Sequence, residues 1–321
     1  MQNLAPRIDA VVIGRNEGAR LIACLQSLQG RVQRLIYVDS GSTDGSVDQA
    51  RALGAEVVAL DMSLPFTAAR ARNAGLALAR ADLVQFVDGD CTVDPGWLGA
   101  AERFLGEHPN AAVVCGRRRE AHPEASIYNA LCDREWDTPV GEALACGGDA
   151  LMRRAALEAV GGYRDSLIAG EEPELCVRLR QAGWTIWRLD AEMTRHDANI
   201  TRVGQWWKRA RRAGHAFAEG AFLHGAPPER HWVRETRRAV FWGAGLPVLI
   251  VVLVLITPWA LMLSLIYPAQ VARLAVRDGG GRSGWVWAFF TVLGKFPEAL
   301  GVAQFHLARL RGKNATLVEY K

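Results

Sequence analysis

Several familiar signatures are missing from this 321-residue chain. Its six cysteines (Cys24, Cys91, Cys115, Cys132, Cys146 and Cys176) contain no C-x-x-C pair, so they suggest neither a zinc site nor a disulfide framework and suit a reducing compartment. The opening "MQNLAPRIDAVVIG" passes almost directly into a short strand, so no secretory signal peptide is expected. That strand is followed by "IGRNEG" and not by G-x-G-x-x-G, which argues against a dinucleotide-dependent oxidoreductase. No internal repeat occurs. Charge is the most telling absence: none is found in the 34 residues from Ala239 to Ala272.

A spanning helix needs about 20 apolar residues, so that tract is long enough to cross a bilayer. Its Val, Leu and Ile contribute roughly −3 to −6 kcal/mol to insertion. Seven tryptophans (Trp206, Trp207, Trp232, Trp242, Trp259, Trp285 and Trp287) surround it, as an interfacial belt would. Arg230, Arg234, Arg237 and Arg238 precede the tract, and Arg273, Arg277 and Arg282 follow it, which conflicts with a simple positive-inside assignment for one span. Pro258 near the middle resolves the conflict as a hairpin of two short helices with both flanks cytoplasmic; a single tilted helix is the alternative. The later stretch 285–311 contains Lys295, which would cost about 2.5–3.5 kcal/mol at the centre of a span. It reads as an interfacial helix.

The charge that is present is unevenly placed. Residues 1–199 carry 21 Lys/Arg and 28 Asp/Glu (−7), whereas residues 200–321 carry 17 and 6 (+11). An acidic front and a basic rear imply two environments. With the apolar tract beside it, the basic rear suits an anionic membrane better than nucleic acid.

Along the front half, short apolar strands alternate with helical patterns. Strands are expected at 8–14, 34–40, 55–60, 82–88 and 111–116, with helices at 17–28, from the "GSTDGS" turn to Leu53, and at 66–79. This implies an α/β fold with a mostly parallel sheet flanked by helices, which binds ligands beyond the carboxyl ends of its strands. Asp39 and Asp88 both stand at such ends. The stretch 117–200 is less regular, with a Gly-rich strand end "ACGGD", a short helix from Ala150 and a helix opening at "GEEPEL". The expected division is a catalytic domain over 1–238 (halves of about 1–116 and 117–238) and a membrane-associated region over 239–321.

The strand "LVQFVDGDC" (83–91) ends on two carboxylates, Asp88 and Asp90, which repel unless something positive sits beside them. Asp-Gly-Asp is good turn chemistry and is common by chance. Yet "VVIGRNEGARL", "YVDSGSTDGS", "ARARNAGL", "FVDGD", "GGDALMRRAALEAVGGY" and "GEEPELCVRLRQAGW" occur in the order and rough spacing of family-2 glycosyltransferases. The chain resembles that family, inverting enzymes with the nucleotide-sugar-binding GT-A fold, over about residues 8–200. The apolar tract and the ending "VEYK" resemble a membrane-associated subgroup.

The resemblance implies a nucleotide-diphospho-sugar donor and a divalent cation, Mg²⁺ or Mn²⁺. Asp90 would be the direct ligand, Asp88 would lie on the ribose side and near the metal, and His196 in "MTRHDAN" would be a third ligand. A cation between acids and diphosphate supplies the missing positive charge. Paired acids alone would also suit glycoside hydrolysis, against which the nucleotide-site motifs argue. Asp39 resembles the carboxylate that accepts a base N–H, and its other reading is a turn or cap. Glu17 resembles an acidic position near the nucleoside, or a first-turn helix acid. Arg72 would lie over or beside the base, or be a solvated helix arginine. The general base is usually an Asp of a Glu-Asp pair opening a helix. Here Glu172 stands in that place, with Glu171 the alternative and Pro173 expected at the first helical position. Arg209 or Arg212 in "GQWWKRARRAG" would reach the diphosphate or form a basic membrane-facing helix. Gln205 is followed by Trp-Trp-Lys-Arg, a departure from the Gln-x-x-Arg-Trp of processive relatives, which favours addition of one sugar at a time. The acceptor would be a glycan or lipid-linked hydroxyl at the cytoplasmic face of the plasma membrane. A nucleotide-sugar-binding scaffold without catalysis is the other reading.

Overall fold

A computed structural model describes residues 8–312; the ending "VEYK" lies outside them. Two compact units divide the chain between Asn199 and Ile200. The division expected at 238 therefore falls inside the second unit, because the helix Val203–His224 packs with the later helices.

The first unit is built on a nine-stranded sheet. Its strands are β1 (Ile8–Gly14), β2 (Arg34–Asp39), β3 (Glu56–Ala59), β4 (Leu83–Asp88), β5 (Cys91–Val93), β6 (Ala111–Glu120), β7 (Gly141–Ala143), β8 (Ala150–Arg153) and β9 (Thr185–His196). The order is β3-β2-β1-β4-β8-β6-β9-β5, with β7 on β9. β1 to β4 are mutually parallel, joined by the helices Ala19–Leu28, Ser46–Ala52 and Ala68–Leu76. Ile8 to Ile13 of β1 are all buried, as expected for a strand covered on both faces. Gly75 lets the third helix lie against this strand, since a Cβ there would sit 2.3 Å from Val11 Cγ1. The pairing aligns Gly14 with Asp39 and Ile13 with Asp88, so the two aspartates stand at one level on either side of β1.

Beyond β4 the sheet becomes mixed. Ala150–Arg153 is not the start of a helix: it forms β8, antiparallel to both β4 and β6, and the helix is Arg154–Ala159. Three apolar residues are too few to show a period, and the open pairing edges of two neighbours decide the outcome. "ACGGD" is accordingly a loop entering β8, not a strand end. β6 runs on to Glu120 and pairs with the 12-residue β9, so charged residues occupy strand positions there. Trp97 anchors the interior, its Nε1 donating to Gln85 Oε1 at 2.8 Å. All six cysteines are buried free thiols.

The second unit is helical. After Val203–His224 come Val233–Val254, Pro258–Arg277 and Arg282–Leu310, each long and apolar enough to cross a membrane. The uncharged tract is interrupted at 255–257, and Pro258 opens the following helix. The Tyr267 hydroxyl donates to the Trp242 carbonyl at 2.7 Å, so the two helices fold back on one another as a hairpin. Leu255, Ile256 and Trp259 at its bend are exposed. Lys295 sits inside a continuous apolar stretch, paired at 2.5 Å with Glu298 one turn away. Pairing lowers the cost that argued against a span there. The helices Val203–His224 and Arg282–Leu310 touch backbone to backbone: a Cβ on Gly214 would lie 2.0 Å from Glu298 O, and one on Gly301 2.0 Å from Arg211 O.

Candidate active site

The carboxyl edge of β2, β1 and β4 gathers the first acids. Asp39 is buried; its Oδ2 accepts the Gly41 and Ser42 N–H groups at 2.9 Å each, and its Oδ1 the Tyr37 hydroxyl at 3.0 Å. It thus closes the turn after β2, leaving acceptor capacity on Oδ1. Glu17 precedes the Gly18 N-cap and is therefore not a first-turn helix acid, because the helix begins at Ala19. Its carboxylate pairs with Arg20 at 2.7 Å.

Asp88 is held between the buried Arg72 and the partly buried Arg118. Arg72 Nη2 reaches Asp88 Oδ1 at 2.8 Å, and Arg118 Nη2 reaches Oδ2 at 3.2 Å. The Asp88 N–H donates to Asp149 Oδ1 at 3.0 Å, while Asp149 also accepts from the Thr194 hydroxyl at 2.7 Å and lies 3.5 Å from Arg118. Asp149 is fully buried, so its charge has to be matched internally, and Arg118 matches it. The positive charge sought beside the paired aspartates is therefore in part the protein's own.

Arg72 is not a solvated helix arginine. It is 2% exposed, and its guanidinium contacts three carboxylates. Besides Asp88, its Nη1 lies 2.9 Å from Glu171 Oε1 and 2.8 Å from Glu172 Oε1. What it touches is carboxylate, not a surface open to a base. Gly170, with φ of 79°, caps the helix Glu171–Gln181. Glu171 and Glu172 therefore occupy its first two positions and Pro173 its third, two positions later than expected; no N–H of that turn has an intrahelical acceptor, so Pro is tolerated. Burial pushes the Glu172 carboxyl up to about 7, with Glu171 and Asp88 adding to the rise and Arg72 opposing it. A carboxyl poised near neutrality is suited to taking a proton.

Asp90 is brought to His196 by strand pairing. β5 and β9 align Cys91 with His196, and His196 Nε2 lies 3.2 Å from Asp90 Oδ2. Burial, reinforced by the Arg118 charge, pushes His196 down to about 3, so the imidazole is neutral near pH 7. A neutral imidazole beside a carboxylate is a plausible donor set for a divalent cation, and ~3 Å separates adjacent ligands of an octahedral ion with ~2.1 Å bonds. Ligand atoms of Asp90, Cys91 and His196 all lie within 4.8 Å of one another. Cys91 is the poor member: burial raises its thiol pKa, and a protonated soft sulfur does not suit a hard ion. Asp88 falls in a different cluster, with Cys91 and Asp149, and both its oxygens already face arginines. Arg209 lies on the helix Val203–His224 of the second unit, as do Gln205 and Arg212.

Residues 9–161 match the family model for glycosyl transferase family 2. That match covers just under half of the chain and lies within the first unit. The pre-mycofactocin glycosyltransferase of Mycobacterium tuberculosis is 29% identical over 239 residues, covering 68% of this chain and 48% of its own length. The chain thus spans about half the length of that curated relative. The succinoglycan biosynthesis protein ExoA of Rhizobium meliloti is 29% identical, covering 60% of this chain and 64% of its own. Among solved structures, the mannosyltransferase PcManGT of Pyrobaculum calidifontis, determined with GDP-Man and Mn²⁺, aligns over 94% of this chain and 88% of its own. Its TM-score is 0.64 at 20% identity, a likeness of fold.

Within the first unit, Arg118, Asp149 and Trp136 escaped the sequence reading. The Arg118 guanidinium lies 5.0 Å from the Trp136 ring centre, and Trp136 meets the His196 ring edge-on at 4.7 Å. Arg118 follows the expected end of a strand in "GRRRE", where three consecutive arginines look solvated. Asp149 was visible only as part of "GGD".

Proposed function

We propose that the chain is an inverting glycosyltransferase that moves one sugar from a nucleotide-diphospho-sugar to a hydroxyl of a lipid-linked or membrane-embedded acceptor. The observation that carries this reading is the Arg72 bridge, which joins the donor-side Asp88 to Glu172 through a single guanidinium. Glu172 takes the acceptor hydroxyl's proton as that oxygen attacks the anomeric carbon from the face opposite the departing diphosphate. Glu171 shares Arg72 and so helps fix that cation beneath the base. Asp39 accepts from the nucleobase, with Glu17 beside the nucleoside, and Asp88 addresses the ribose side. Asp90 and His196 would hold Mg²⁺ or Mn²⁺, which when bound supplies charge for the leaving diphosphate. Arg209 is assigned to the diphosphate.

The apolar hairpin and the third long helix support attachment to the membrane, with catalysis on its cytoplasmic face. The names of two relatives, a succinoglycan biosynthesis protein and an O-antigen chain rhamnosyltransferase, support a role in surface-glycan assembly. The departure from Gln-x-x-Arg-Trp after Gln205 supports single additions. The test is release of nucleoside diphosphate from a panel of sugar nucleotides by the full chain in detergent, with lipid extract as acceptor source. Release is expected to require a divalent cation and to fall sharply in Glu172→Gln. Equal release by Glu172→Gln would remove Glu172 as the base, and no release with any donor would favour the nucleotide-binding scaffold. Equal transfer to soluble acceptors without lipid would remove the lipid-linked acceptor.

A further inference from the structure

The second unit carries a cationic groove that the transfer reaction does not use. Arg230, Arg234, Arg237 and Arg238 line it with Phe241 and Trp242, around a cavity of about 390 Å³. Positions 234, 237, 238 and 241 repeat at helical spacing on the helix that opens at Val233, which stacks three guanidiniums on one strip, and Arg230 joins them from the loop before it. All four arginines are exposed, and among the described residues none makes a side-chain hydrogen bond or ion pair. Like charges one turn apart repel, so the strip is favourable only when an anion faces it. Along the same helix the chemistry changes in order from arginine to Phe241 and Trp242, then to Val248, Leu249, Val251 and Val252, all exposed. This succession of cation, aromatic and aliphatic surface follows the polarity gradient of a bilayer leaflet. A nucleic acid or a free phosphate would match the arginines and leave the apolar half uncovered.

We propose that this groove binds the phosphate of an anionic phospholipid. The arginine forks face its phosphate oxygens, and Phe241 and Trp242 lie on the acyl side. The inference rests on the membrane attachment proposed above, not on glycosyl transfer. A lipid held there sets the depth at which the hairpin enters the membrane.

The test uses the full chain in neutral detergent with no sugar donor present, so its failure leaves the transfer reading untouched. Native mass spectrometry compares phosphatidylglycerol with phosphatidylcholine, and inorganic phosphate serves as the soluble competitor. Phosphatidylglycerol is expected to bind more tightly. Each arginine near an anionic surface is worth roughly fivefold in affinity, so R234Q/R237Q should weaken phosphatidylglycerol about 25-fold. R273Q/R277Q removes the same charge outside the groove and should weaken it by less than about threefold. Equal binding of the two lipids, equal losses in the two variants, or displacement of the lipid by inorganic phosphate would overturn the proposal.

Discussion

Arg72 Nη1 lies 2.8 Å from Glu172 Oε1, at a buried position where the same guanidinium also holds Asp88 and Glu171. One cation is shared by three carboxylates, so its removal acts on all of them. Arg72→Met should destabilise the first unit by about 3–5 kcal/mol, the usual cost of leaving a buried charge unpaired. Because Arg72 opposes the rise in the Glu172 pKa, the same variant should move the acid limb of any remaining activity to higher pH. Thermal unfolding and a pH–rate profile measure the two effects.

The raised Glu172 carboxyl also predicts a pH dependence in the intact protein. Its folded value of about 7 exceeds the ~4.3 of an ordinary glutamate. The folded state therefore binds this proton more tightly. The stabilisation is complete below about pH 4 and is lost as pH rises through about 7. Turnover runs the other way, since a base must be ionised: kcat/KM should climb through about pH 7. Glu172→Gln should be lower by about 10²–10⁴ and lack that limb.

Cation binding should separate Asp90 from Asp88. Asp90→Asn is expected to abolish the metal dependence of donor binding, and His196→Ala to raise the required Mn²⁺ concentration by about tenfold or more. Asp88→Asn, whose oxygens face Arg72 and Arg118, should weaken donor binding with a smaller change in metal affinity. Titration of Mn²⁺ by paramagnetic resonance distinguishes the three.

Asp149 should prove structural in an electrostatic sense. Asp149→Ala leaves Arg118 short of one buried partner and the Asp88 N–H and Thr194 hydroxyl unpaired, a loss of about 3–5 kcal/mol. Asp149→Asn retains an acceptor for the hydroxyl and should lose less. Denaturant midpoints, with an Arg118→Met double-mutant cycle, measure the coupling.

In the second unit, Gly301→Leu should disrupt the pairing of Val203–His224 with Arg282–Leu310, since even a Cβ would meet Arg211 O at 2.0 Å. The expected result is a lower melting temperature in detergent, with a smaller loss in Ala299→Gly, which removes only one methyl from a buried position.

Local pattern determined much of this protein. The buried runs of β1, β2 and β4 appear at nearly the boundaries their apolar stretches suggest, because a strand covered on both faces has to be apolar throughout. The break before Pro258 was equally legible, since proline cannot continue a helix without losing a hydrogen bond. What the pattern could not convey was partnership across the sheet. Ala150–Arg153 is a strand because β4 and β6 offer it two edges. Arg117 to Glu120 extend β6 despite their charge because β9 pairs with them and neighbouring groups neutralise them. Arg118 and Asp149 lie 31 positions apart in sequence, and Arg72 and Glu172 lie 100 apart. Residue type along the chain decides which groups are charged; only the folded sheet decides which opposite charge each one meets, since that depends on distance in space and on the exclusion of water.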